Sequence, residues 1–88
     1  MVKKRGEKAA EAFGAVIVEQ RNLRALTQNQ VSERGGTDLS YLRELEHREH
    51  DPSITTITQV AAGLGMEPDD LFKIVVARMK QKSFETPD

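Results

Sequence analysis

The chain has no cysteine, and that absence removes several chemistries at once. A disulfide framework, a thiolate zinc site and a cysteine nucleophile are excluded, and the composition suits the reducing cytoplasm. Long apolar runs are missing too. No stretch approaches the roughly 20 residues of a membrane span, and no apolar segment follows the basic start MVKKRGEK as a signal peptide requires. A soluble cytoplasmic protein with no membrane partner is expected. No glycine-rich phosphate loop is present, because Gly35-Gly36 and Gly63-x-Gly65 read as helix ends. The paired acids Asp69-Asp70 stand where a helix should begin, so capping explains them. With these parts missing, no enzyme and no cofactor are expected. A basic excess is lacking as well: 13 Lys and Arg face 14 Asp and Glu, a net charge of −1. Many DNA-binding domains are strongly basic, so the totals by themselves do not point to nucleic acid. The distribution is uneven, however, with Lys3, Lys4, Arg5 and Lys8 clustered at the start and Arg78, Lys80 and Lys82 near the end.

What is present is enough for one small globular domain: 88 residues, 38% apolar and 31% charged, without internal repeat or low-complexity segment. A chain this short buries only roughly 60 to 65% of its unfolded surface and gains from dimerisation. Residues 1–6 read as a flexible basic arm, 7–82 as the folded domain and 83–88 as a disordered tail. A first helix is expected from Glu7 to Arg24, with Ala9, Ala10, Phe13, Val16 and Ile17 as its buried stripe. After Pro52, Ser53 can cap a fourth helix from Ile54 to about Gly63, burying Ile57, Val60, Ala61 and Leu64. A fifth should start at Glu67-Pro68-Asp69-Asp70, with proline in its first turn, and extend to about Lys82. Its apolar arc is wide: Leu71, Ile74 and Val75 lie along one side and Phe72, Val76 and Met79 along another. One side can close the core and the other can meet a second copy, so Phe72, Val75, Val76 and Met79 form the candidate dimer interface.

Between these helices lies the most informative stretch, TQNQVSERGGTDLSYLRELEHREHDP, from Thr27 to Pro52. Thr27 with Gln30 three residues on makes a capping box, so a helix should open at Gln28. It must stop by Gly35-Gly36, where a glycine can supply the positive φ of a tight turn. Asp38 then caps another helix, Leu39 to about His47. On that helix Leu42 and Leu45 share a face with Tyr41 close by. Leu39, Ser40, Arg43, Glu44 and His47 follow the 3, 4, 7 spacing on the opposite side. One face is core and the other is presented, which is what a helix-turn-helix needs.

On these residues the chain resembles the Cro/repressor (XRE-type) family of helix-turn-helix DNA-binding proteins. The matching residues are Leu26-Thr27-Gln28, Val31-Ser32, Gly36, Ser40-Tyr41-Leu42, Leu45-Glu46 and Pro52-Ser53. The resemblance covers roughly Phe13 to Val75. It implies an all-α fold, a compact five-helix bundle of the lambda repressor-like type with the motif at helices 2 and 3. It also implies a structural ion pair between Arg21 and Glu46. Two departures stand out. Arg48 occupies the place where the family usually has glycine after the recognition helix. From Ser32 to Asp51 six acids (Glu33, Asp38, Glu44, Glu46, Glu49 and Asp51) face only three arginines (Arg34, Arg43 and Arg48).

If the third helix enters the major groove of double-stranded DNA, side-chain chemistry assigns the base contacts. Arg43 can donate twice to guanine, Glu44 can accept from cytosine, Ser40 can meet a base edge, and Leu39 can pack on a thymine methyl. Thr27, Gln28, Thr37, Tyr41 and His47 are the candidate backbone contacts, with the amide at the helix start and Gln28 gripping a phosphate by resemblance. His47-x-x-His50 beside Glu44, Glu46, Glu49 and Asp51 is the best metal candidate; its spacing is no recognised signature and it falls where a helix ends, so no metal is expected. The expected function is a sequence-specific transcriptional regulator acting as a homodimer on an inverted-repeat operator, either a small repressor or a restriction-modification controller. The alternative is a protein-interaction module, such as an antitoxin with a toxin partner, which the acidic motif would suit.

Overall fold

The computed structural model describes residues 5–85, and within them the chain forms five helices: α1 (Arg5–Leu23), α2 (Gln28–Gly35), α3 (Leu39–Glu46), α4 (Ile54–Leu64) and α5 (Pro68–Glu85). None of the described helices is long and apolar enough to cross a membrane. The all-α bundle expected from sequence is the observed fold, with the helix-turn-helix at α2 and α3. The terminal boundaries differ. Helix α1 opens at Arg5, inside the expected arm, and α5 continues through Ser83 to Glu85, inside the expected tail. The remaining arm and tail residues, 1–4 and 86–88, lie outside the described residues.

Local chemistry sets the internal boundaries. Thr27, Asp38 and Ser53 each hold extended backbone, and their side chains accept from Gln30 N, Tyr41 N and Thr56 N to open α2, α3 and α4. Gly36 closes α2 at φ 72° and Gly65 closes α4 at φ 77°. Two helix ends manage without glycine. At the end of α1, Ala25 takes φ 54° while its N–H donates to Asn22 O and that of Leu26 donates to Arg21 O. At the end of α3, Arg48 takes φ 67° while its N–H donates to Leu45 O and that of Glu49 donates to Glu44 O. Both are Schellman caps, in which paired back-donation satisfies the last carbonyls and holds a side-chain-bearing residue in the left-handed region. That resolves the Arg48 departure: the cap geometry is kept and the arginine bears the strain.

The core gathers Phe13, Val16 and Ile17 of α1, Val31 of α2, Leu42 and Leu45 of α3, Val60, Ala61 and Leu64 of α4, and Leu71 and Val75 of α5. Helix α1 packs on α3 and α5, and α2 packs on α4. Val75 corrects the expected dimer face: at 4% exposure it closes the core of a single chain and offers nothing to a partner. Met79 also packs against that core, whereas Phe72, at 53% exposure, faces outward.

Gly63 needs a second correction, and Gly35, which ends α2 as expected, has a further role. Gly63 lies inside α4 rather than ending it, and a Cβ there would stand 2.3 Å from Val31 O. A Cβ on Gly35 would stand 2.2 Å from Gln59 O. These are backbone obstacles, so the two glycines set how closely α2 and α4 approach. Each contact joins residues far apart in sequence, which is why neither close approach can be read locally.

Two stability outcomes follow. Gly35→Ala and Gly63→Ala each gain alanine's helix propensity of about 1 kcal/mol, but they force the helices apart, and urea unfolding should show a net loss of about 1 to 3 kcal/mol. A stabilised alanine variant would mean that α2 and α4 are not held at this separation. Arg48→Gly relieves left-handed strain and should raise stability by about 1 kcal/mol. A loss instead would show that the arginine stem lying over Gly14 outweighs the strain.

Candidate nucleic-acid interface

The presented surface is built around the entry of α2 and the outer face of α3. Thr27 Oγ1 accepts from Gln30 N at 3.1 Å, and Gln30 Oε1 accepts from Thr27 N at 2.9 Å. This box leaves the Thr27 hydroxyl proton available to an outside acceptor. Gln28 opens the helix next to it. Across the turn, Asp38 caps α3 so that Ser40, Arg43, Glu44 and His47 are all exposed, with Leu39 half-buried beside them.

A polar chain runs from the interior to this face. Arg21 of α1 meets Glu46 of α3 in a two-pronged pair, Nε to Oε2 at 2.8 Å and Nη2 to Oε1 at 3.1 Å. Their side chains are only 17% and 7% exposed, so the pair sits largely out of water. Arg21 Nη1 also donates to Leu26 O at 3.2 Å, which ties the pair to the segment entering α2. Gln28 Nε2 donates to Glu46 Oε1 at 2.9 Å, and Gln28 Oε1 accepts from Arg43 Nε at 3.2 Å. The residue expected to grip a phosphate and the residue expected to read a base are thus bonded to each other.

Other expected contacts lie elsewhere. The Tyr41 hydroxyl is 3.2 Å from Thr56 Oγ1, and Thr56 is 2.9 Å from Ser53 Oγ, so Tyr41 serves the start of α4 rather than the outer surface. Thr37 Oγ1 is enclosed and has no hydrogen-bond partner among the described residues. As placed, neither hydroxyl is turned to the outer surface. His47 stays at the surface as the C-cap of α3. Sequence reasoning missed His50 as a partner of the outer face of α3: its Nε2 lies 2.7 Å from Glu44 Oε1, and its ring centroid lies 5.6 Å from that of Tyr41. No sequence period links positions 44 and 50, because the irregular backbone after α3 brings them together. Among the described residues no group of three or more acids and histidines is placed to hold a metal ion.

Three of the six acids have partners within the fold. Asp38 is used as a cap, Glu44 is paired with His50, and Glu46 is neutralised by Arg21. Arg43, in contrast, is exposed, and among the described residues it donates only to Gln28.

A family model described as helix-turn-helix matches residues 17–71. No curated protein sequence matches the chain. Among solved structures, the restriction-modification controller protein C.Esp1396I superposes with a TM-score of 0.74 at 16% identity, covering 83% of this chain and 95% of that one. The clp gene regulator ClgR from Corynebacterium glutamicum superposes at 0.76 with 23% identity, covering 88% and 82%. A further structure holds a C.Esp1396I tetramer on its natural 35 base-pair operator and superposes at 0.74 with 17% identity, covering 82% of this chain and 95% of that one. At such identities the likeness establishes the fold, and the family match carries the rest. The chain belongs to the XRE-type helix-turn-helix family of DNA-binding transcription regulators.

Proposed function

We propose that the protein regulates transcription as a homodimer that reads an inverted-repeat operator in double-stranded DNA with its two α3 helices. The observation that carries this reading is the outer face of α3, where Ser40, Arg43 and Glu44 are exposed together on a helix whose other face is locked into the core by Leu42 and Leu45. Arg43 supplies paired donors for guanine, Glu44 an acceptor for cytosine, Ser40 a hydroxyl for a base edge and Leu39 an apolar surface for a thymine methyl. Thr27, the amides at the start of α2 and His47 supply phosphate contacts that set the register.

One such helix reads only a few base pairs, so selectivity calls for two, roughly 34 Å apart on one side of the duplex. On α5 the exposed Phe72 and the half-buried Val76 one turn on are the apolar side chains offered to the second copy. The operator-bound tetramer of C.Esp1396I gives support from a protein of the same fold. The chain fits a small repressor or a controller of a restriction-modification operon, either of which is governed by its own concentration.

Arg43→Ala should weaken binding to the specific site by about 1 to 3 kcal/mol more than binding to random duplex, and relax preference at one base pair. Wild-type affinity, followed by fluorescence anisotropy over a salt series, should fall steeply as counterions are released. Affinity that hardly responds to salt would favour a protein interface over DNA as the working surface.

A further inference from the structure

The reading of DNA through Arg43 leaves open what holds a long, exposed arginine in register. We infer that Gln28 is a positioning residue for Arg43, fixing which edge of its guanidinium faces the groove, rather than a phosphate clamp; the inference rests on the function proposed above.

The geometry allows one arrangement of the Gln28 amide. Glu46 can only accept and Arg43 Nε can only donate, so Nε2 must face Glu46 and Oε1 must face Arg43, as observed at 2.9 and 3.2 Å. Glu46 is in turn fixed by two bonds from Arg21. Interior order is thereby passed outward through a chain of charge-assisted bonds to a side chain that would otherwise sample many rotamers. Because the Arg43 Nε–H is occupied, the free donors are the two terminal nitrogens, Nη1 and Nη2. These present a parallel pair suited to O6 and N7 of guanine. Without Gln28, Arg43 keeps its charge and its attraction to DNA but loses the constraint that makes the contact base-specific.

The test measures affinity for the specific duplex and for its three substitutions at the base pair read by Arg43. The proteins are wild type, Gln28→Ala, Gln28→Met, Arg43→Ala and the Gln28→Ala/Arg43→Ala double variant. Methionine keeps the length and packing of the side chain without its amide, so it separates loss of positioning from loss of fold. Both Gln28 variants should reduce discrimination at that base pair by roughly tenfold, with affinity for random duplex and the salt slope unchanged. The double variant should bind like Arg43→Ala alone. A Gln28 effect equal on all sequences, additive with Arg43→Ala and accompanied by a shallower salt slope, would identify a phosphate clamp and overturn the inference. Discrimination that Arg43→Ala removes while both Gln28 variants retain it would overturn this inference alone. A wild-type protein with no discrimination anywhere would overturn the proposed function together with it.

Discussion

The fold and the presented surface both depend on one contact, the pair formed by Arg21 and Glu46. It joins the first helix to the last turn of the third across 25 positions of sequence, with two bonds between a fork of donors and a carboxylate. Exposed ion pairs contribute little, because water and salt compete with them. This one is mostly covered, so neither charge can easily return to water, and losing one partner would strand the other at a cost of about 3 to 5 kcal/mol. Its value lies as much in orientation as in stability. The apolar residues Leu42 and Leu45 hold α3 against the core but allow small rotations; a bidentate pair at the helix end does not. With the start of α2 bound to the same carboxylate through Gln28, the two helices of the motif share one anchor.

A second constraint is the closeness of α2 to α4, where Gly35 and Gly63 let backbone meet backbone. It fixes α2 from behind, while the ion pair fixes it from the side. The outer face of α3 is therefore carried by a rigid frame, and its exposed side chains can be varied without rebuilding the core. That division suits a reader of DNA, since specificity lives in a few groups while the scaffold must hold them in register with phosphates.

Much of this was legible in the sequence. Thr27, Asp38 and Ser53 announced three helix starts because capping is a local interaction, and the glycine pair announced the turn. The alternation of apolar and polar positions separated the two faces of α3 for the same reason. What stayed hidden involves residues that meet only after folding. Nothing near Gly63 shows that Val31 will lie against it, and nothing near Tyr41 shows that its hydroxyl will turn toward Thr56. Val75 illustrates the limit of periodicity: on a helix with a wide apolar arc, spacing alone does not say where the core ends and a partner face begins. Arg48 shows the opposite case, a residue that breaks a local rule and is held in place by the cap hydrogen bonds around it.

The most direct measurement is selection of binding sites from a pool of random duplexes by the purified protein at near-physiological salt. A surface organised as described should enrich an inverted repeat whose half-site centres lie about 10 base pairs apart. A folded protein that enriches no sequence from the pool would contradict the assignment of α3 as a reading helix.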